Sequence, residues 1–73
     1  MTLGQALHII QNVLHLSYVG PSVDPTKHIY EDLAGNPYYV AADLAALSDA
    51  RRAIEVNRLR AEQNVYYGRP PVP

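Results

Sequence analysis

The chain has three histidines, and histidine is the side chain best suited to bind a metal or to transfer protons near neutral pH. His8 and His15 lie two turns apart in a segment with helical periodicity, which is further than the i, i+4 spacing of a helical zinc pair. His28 has no second histidine or carboxylate at ligand spacing. The sequence therefore predicts solvated or interfacial imidazoles and no metal site.

The remaining candidates for catalysis are carboxylates and hydroxyls. Glu31 and Asp32 are adjacent, and adjacent residues of a strand point to opposite faces, so this pair could not flank one substrate. Cysteine is absent, and the serines have no recognisable base and orienting partner. The glycines are too scattered for a phosphate-binding loop. We therefore expect no enzyme activity and no cofactor.

The basic residues are concentrated in the last third of a chain whose net charge is −1. This balance gives no global basic field that would attract nucleic acid. The clustered side chains are Arg51, Arg52, Arg58 and Arg60. One interpretation is a solvated helix face paired with Glu55 and Glu62. The other is a basic rim that contacts DNA or an acidic partner.

The elements that would position these residues begin with a helix predicted over residues 2–17. Its apolar stripe is Leu3, Leu7, Ile10 and Leu14, and Thr2 is a candidate N-cap. Ile9 and Leu16 fall off the stripe, so they either widen the buried face or contact a neighbouring subunit. The segment lacks Lys and Arg and is interrupted by polar residues, which argues against a signal peptide and a membrane span. We expect a soluble protein.

Residues 19–26 contain the turn pairs Gly20-Pro21 and Asp24-Pro25, which predict a surface loop. The next segment, residues 27–42, fits two structures. As a β-hairpin, strands at 27–33 and 38–42 flank the loop AGNP, which pairs Leu33 with Tyr38, Glu31 with Val40 and Ile29 with Ala42. As helices, Asp24 and Asn36 would be N-caps, each followed by a proline. Tyr38, Tyr39 and Val40 are poor formers of a first helical turn, and together with the family resemblance given below they favour the hairpin.

A second, longer helix is predicted over residues 42–64. Its apolar face consists of Leu44, Leu47, Ile54, Ala61 and Val65, whereas Val56 and Leu59 point elsewhere. Gly68 and three prolines make residues 65–73, VYYGRPPVP, an extended tail that is either disordered or docked on a partner. The prediction is an α+β domain with αββα order at 1–64 and a docking tail at 65–73. The alternative is an all-α helical hairpin with a short middle helix.

One stretch resembles a known family. GNPYYVAADLAAL, residues 35–47, has a turn glycine, an aromatic second strand and an Asp-Leu entry into a Leu-rich helix. In this string and in the order of its elements the chain resembles the head–tail joining protein W family of tailed bacteriophages, which are small αββα adaptors. The resemblance implies a non-enzymatic connector subunit that forms a ring under the portal of the virion, having been assembled in the host cytoplasm.

The resemblance also implies partners: the portal protein, neighbouring connector or tail proteins and sibling subunits, with packaged DNA nearby and no membrane. The residues it implies at these contacts are Arg51, Arg52, Arg58, Arg60, Tyr66, Tyr67, Arg69 and Pro70. Two other functions stay open. One is another phage structural role, such as a capsid cement or baseplate component. The other is a small regulator or anti-defence protein that binds a host protein or DNA.

Overall fold

The computed structural model describes residues 1–68. They form an N-terminal helix, a three-stranded antiparallel sheet and a long C-terminal helix, with the strands side by side in chain order. The elements are α1 (Leu3–His8) with a π-helical turn (Ile9–Val13), β1 (Ser17–Pro21), β2 (Lys27–Glu31), β3 (Pro37–Ala41), a 3-10 turn (Leu44–Ala46) and α2 (Asp49–Tyr66). The predicted α+β fold is confirmed, and the all-α alternative is wrong.

The first helix begins where the sequence predicts and ends earlier. Thr2 forms a capping box with Gln5: the Gln5 N–H donates to Thr2 Oγ1 at 3.1 Å, and the Thr2 N–H donates to Gln5 Oε1 at 2.8 Å. The helix widens into the π-helical turn, in which the Leu14 N–H donates to the Ile9 carbonyl at 2.8 Å. His15 then takes a left-handed backbone conformation, with φ of +57°, and the chain turns into the sheet. The predicted helical end at residue 17 is therefore wrong.

The strand β1 was predicted as the end of a helix and the start of a loop. It is only five residues long and ends in Gly20-Pro21, so its local sequence gives no strand pattern. Pairing with β2 creates it: Tyr18 lies opposite Tyr30 and Gly20 opposite Ile29, with a bulge at Val19 between them. Tertiary pairing thus overrides a local signal for a turn.

The hairpin of β2 and β3 is confirmed, but its predicted register is wrong. Tyr38 lies opposite Tyr30, and Leu33, its predicted partner, is 83% exposed in the connecting loop. The buried Asp32 carboxylate accepts the backbone N–H groups of Ala34 and Asn36 at 2.9 and 3.0 Å, so the chain turns directly after Glu31. The face shared across the two strands is therefore His28, Tyr30, Tyr38 and Val40 rather than the predicted set of Ile29, Glu31, Leu33, Tyr38, Val40 and Ala42.

The core joins both helices to the sheet. Its buried members are Ala6, Ile10, Leu14, Leu16, Tyr38, Val40, Leu44, Val56 and Leu59. In α2 the predicted apolar face is wrong, because Val56 and Leu59 are buried while Ile54 and Val65 are 62% and 76% exposed. The cause is a break in the predicted helix: the backbone is extended at Leu47, and Ser48 caps a new helix by accepting the Arg51 N–H at 3.2 Å. The periodicity of Leu44 and Leu47 therefore does not continue into α2.

Candidate functional site

The long helix lies along the outer edge of β3 and bonds to its backbone through three side chains. Glu55 accepts the Ala41 N–H at 2.7 Å, Arg58 donates to the Tyr39 carbonyl, and the Tyr66 hydroxyl donates to the Pro37 carbonyl at 2.6 Å. Residues 37, 39 and 41 alternate along the strand, so these are the groups that face away from β2. Side chains of α2 therefore occupy one edge of the sheet.

A cluster of charged side chains holds α2 against β3. Glu55 is buried, and burial alone would raise its pKa, but the hydrogen bonds from Arg58 and from the Ala41 N–H outweigh that effect and lower it. The Arg58 Nε donates to Glu55 at 2.9 Å, and its Nη1 lies 3.2 Å from Glu62. Glu55 therefore stays ionised while holding β3 and Arg58 together.

Two of the four arginines predicted at a partner surface are engaged within the domain. Arg58 is held as described, and Arg52 is 9% exposed. The Arg52 guanidinium donates to the carbonyls of Leu44 at 2.8 Å and Ala45 at 3.1 Å, and to Asp49 at 2.7 Å. Arg52 thus fastens the 3-10 turn to α2. Arg51 and Arg60 are exposed, and within residues 1–68 neither has an ion pair.

The predicted tail residues Tyr66 and Tyr67 pack back on the hairpin. The Tyr66 ring meets Tyr38 edge-to-face at 5.2 Å between ring centroids, and the Tyr67 hydroxyl donates to Asp32 at 3.0 Å. Helix α2 continues through Tyr66, so the first two residues of the predicted tail belong to it. Arg69 and Pro70 lie outside the described residues.

The side of α2 that faces away from the core carries three exposed apolar residues, here named the apolar flank, which are Ile54, Ala61 and Val65, with Arg58 between the first two. At its start, Ile54 lines an open groove of about 170 Å³ with Leu47, Ala41, Lys27, Arg51 and Glu55. Tyr39, 52% exposed, shares the outer sheet face with Ala41. The helical pattern identified the residues of the flank as one face and assigned that face to the core.

Asp32 is a residue whose importance sequence reasoning missed. Its Oδ2 accepts the Tyr38 hydroxyl at 2.7 Å, the Tyr67 hydroxyl at 3.0 Å and Asn36 Nδ2 at 3.0 Å, in addition to the two backbone groups on Oδ1. Burial would raise its pKa, but these hydrogen bonds hold it well below the usual range. The available signal was an Asp directly before the turn residues, because an Asp side chain can accept the backbone N–H two residues on, which here is that of Ala34. The carboxylate is committed to holding the loop and the end of α2.

The described residues contain no cluster of side chains that could bind a metal ion. Within residues 1–68 no three side chains of His, Asp or Glu are grouped as they would be around a metal ion. An open depression of about 560 Å³ lies beside α1, bordered by Met1, Gly4, Gln5, His8 and Ile9. No helix in the described part of the chain has the length and apolar character needed to cross a membrane.

Comparison with known proteins finds no relative of this chain. No family model matches the chain, and no curated protein or solved structure shows significant similarity to it. The resemblance to the head–tail joining protein W family therefore stays a prediction. The function is inferred below from the surface of the molecule.

Proposed function

We propose that this protein is a non-enzymatic structural subunit that binds other proteins through the apolar flank of α2. The observation that supports the proposal is the orientation of this helix. Its inward face includes Arg52 and Glu55, both at most 9% exposed, while Ile54 and Val65 are more than half exposed. Exposed apolar side chains at helical spacing give a protein partner apolar area to bury on binding.

The shape of the surface favours a protein partner over a small ligand. The groove at Ile54 is open and about 170 Å³ in volume, below the ~300–1,000 Å³ of typical small-molecule sites. Its lining includes Lys27, whose ammonium lies 4.0 Å from the Glu55 carboxylate, and Arg51, which is exposed and has no ion pair within residues 1–68. A complementary partner would present an apolar ridge with an acidic border.

Within this class, the role we propose is a head–tail connector of a tailed phage, placed in the virion as a ring under the portal. It is supported by the resemblance of residues 35–47 and by the α+β order of helix, antiparallel strands and helix. Ring contacts are heterologous, so the flank of one subunit would meet a different surface of its neighbour or of the portal. A capsid cement or baseplate component would use the same kind of surface at another place in the particle.

A DNA-binding regulator is the less favoured alternative. Of the four clustered arginines, Arg52 and Arg58 are bound to carboxylates and carbonyls of the domain, which leaves Arg51 and Arg60 as exposed cations. Phosphate contacts depend on several clustered, accessible cations. A regulator that binds a host protein would instead use the apolar flank.

The test is incorporation into particles. Tailed particles assembled with wild-type chain, with Ile54→Asp or with the matched control Gln11→Glu are purified, and the chain is quantified by mass spectrometry in separated head and tail fractions. Gln11 is exposed on the N-terminal helical segment, so its variant adds the same charge away from α2. Circular dichroism confirms that both variants fold.

We expect low-copy incorporation at the head–tail junction for wild type and Gln11→Glu, and loss of the Ile54→Asp chain. Wild-type chain absent from particles would refute the connector role. A copy number that scales with the capsid shell would identify a cement protein instead. Normal incorporation of Ile54→Asp would show that the flank is not the binding surface.

A further inference from the structure

The loop between β1 and β2 contains the peptide bond Asp24–Pro25, whose carbonyl oxygen accepts two hydrogen bonds. The Ser22 hydroxyl lies 2.7 Å from this oxygen, and the Lys27 N–H donates to it at 3.0 Å. Ser22 Oγ also lies 3.0 Å from the Lys27 carbonyl, and its single hydrogen favours the shorter contact. A hydroxyl and an N–H in this arrangement stabilise the negative charge that a carbonyl oxygen acquires when its carbon is attacked.

The Asp24 side chain supplies a carboxylate beside the same carbonyl. Its Oδ1 accepts the Thr26 N–H at 2.9 Å and the Thr26 hydroxyl at 2.7 Å, which directs the side chain towards the residues that follow it. Within residues 1–68 no donor hydrogen-bonds its Oδ2. A carboxylate in this position can close a five-membered ring on its own carbonyl carbon, and such an intramolecular attack has a high effective concentration.

The chemistry of the bond suits cleavage. The Pro25 nitrogen carries no hydrogen and leaves as a secondary amine once it is protonated. Hydrogen bonds from the Thr26 hydroxyl and N–H lower the pKa of the Asp24 carboxyl, and the nearby Lys27 ammonium acts in the same direction. The carboxylate therefore stays ionised in mild acid, in which solvent readily protonates the departing nitrogen. Residues 23–26 are exposed, so water reaches the bond.

We propose that Asp24–Pro25 is a self-cleaving peptide bond, broken by the Asp24 carboxylate while the Ser22 hydroxyl and the Lys27 N–H stabilise the oxyanion. A lone pair of Oδ2 forms the new C–O bond, and the carbonyl π electrons move onto the oxygen. When they return, the C–N bond breaks, and its electron pair stays on the Pro25 nitrogen, which takes a proton from solvent. The cyclic anhydride left at Asp24 is opened by one water molecule, so the net reaction is hydrolysis of one peptide bond.

The reaction is a single turnover within one chain, and it does not depend on the proposed binding function of α2. Cleavage separates residues 1–24, which contain α1 and β1, from the other two strands and α2. Antiparallel pairing of β1 with β2, and packing of Ala6, Ile10 and Leu14 in the core, hold the two fragments together without a covalent link. The expected product is therefore a nicked domain.

Timed incubation of the purified full chain in mildly acidic buffer, followed by mass spectrometry under denaturing conditions, measures the release of fragments 1–24 and 25–73. The folded chain is compared with the same chain in guanidinium chloride at the same pH. Any Asp–Pro bond hydrolyses slowly in acid, but only the folded loop holds Ser22 and the Lys27 N–H on the carbonyl. One such donor contributes ~10²–10³-fold in an enzyme site, and this loop is exposed, so we expect cleavage at least about tenfold faster in the folded chain.

Three variants identify the groups responsible. Asp24→Asn keeps an acceptor for Thr26 but has no carboxylate, and it should release no fragments on the same timescale. Ser22→Ala should slow cleavage of the folded chain about tenfold and leave the rate in guanidinium chloride unchanged. Ser17→Ala is the matched control, because Ser17 is exposed on β1, and it should cleave at the wild-type rate. Circular dichroism in the assay buffer verifies that each variant folds.

Hydroxylamine added to the reaction distinguishes the attacking group, since it converts an anhydride at Asp24 into a hydroxamate on fragment 1–24. We expect that hydroxamate in wild type. Equal rates in the folded and unfolded chain would show ordinary acid lability and overturn the proposal, as would an unchanged rate in folded Ser22→Ala. Fragments that carry no hydroxamate would assign the attack to water and would also overturn it.

Discussion

Asp32 holds more hydrogen bonds than any other side chain described here, so its removal gives the largest predicted loss of stability. In Asp32→Ala the loop loses two backbone contacts and the contact to Asn36, and the hydroxyls of Tyr38 and Tyr67 lose their acceptor. A hydrogen bond to a charged group contributes about 1.5–3 kcal/mol, and the buried Tyr38 hydroxyl costs a further ~1–3 kcal/mol if it is left without a partner.

These contributions share one carboxylate and do not add in full. We expect Asp32→Ala to lower the free energy of unfolding by about 3–4 kcal/mol, a large part of the ~4–11 kcal/mol typical of a domain this size. Asp32→Asn keeps one oxygen acceptor and is expected to lose about half as much. Glu31→Gln, an exposed neighbour, should change stability by less than ~0.5 kcal/mol.

Urea denaturation followed by circular dichroism measures these differences, with an unchanged slope as the sign of two-state unfolding. The pH dependence adds a second criterion. The pKa of Asp32 is lowered in the folded state, so its stabilisation is present above the unfolded value near ~3.9 and is lost as pH falls below it. Wild type should therefore lose stability below about pH 4 more steeply than Asp32→Asn. A loss below ~1 kcal/mol for Asp32→Ala, or equal acid sensitivity of the two proteins, would refute this reasoning.

Two further substitutions test the helix ends and the β3 edge. His15→Gly relieves a left-handed backbone and should raise the free energy of unfolding by about 0.5–1 kcal/mol, whereas Ser17→Gly, in a strand, should lower it. A destabilised His15→Gly would contradict backbone strain at this position. Glu55→Ala removes the acceptor of the Ala41 N–H, so it should cost about 1–3 kcal/mol and accelerate amide exchange at Ala41, whereas Glu62→Ala, which loses only an outer pair with Arg58, should do neither. Unchanged exchange at Ala41 would show that Glu55 does not hold the edge.

The sequence identifies the helical and extended segments better than their contacts. The first helix follows from its stripe of Leu3, Ile10 and Leu14, and the hairpin follows from the β-forming run Tyr38–Val40 together with the resemblance of residues 35–47. The boundaries of these segments depend on hydrogen bonds and backbone conformations, which hydrophobic periodicity does not reveal. Asp32 shifts the hairpin register by bonding its own loop, and the left-handed His15 ends the first helix before residue 17.

The largest error of the sequence-based prediction concerns α2. It also arises from interactions that hydrophobic periodicity does not reveal. A helix read as continuous from residue 42 gives one apolar face, but the extended backbone at Leu47 separates the 3-10 turn from α2. The inward positions of α2 include Arg52 and Glu55, whose charges are satisfied by carbonyls, an N–H and neighbouring side chains. A hydrophobicity pattern excludes such residues from a core because it contains no information about their partners.

Cysteine footprinting tests most directly whether the flank is exposed in the free chain and covered in the assembly. The chain has no cysteine, so Ile54→Cys and Val23→Cys, the latter fully exposed in the loop between β1 and β2, each introduce a single reactive site. In the free protein both should react rapidly with a maleimide, and in purified tailed particles only Ile54→Cys should become protected. An Ile54→Cys that is unreactive in the free chain would place the flank in the core, and equal reactivity of both sites in particles would show that no partner covers it.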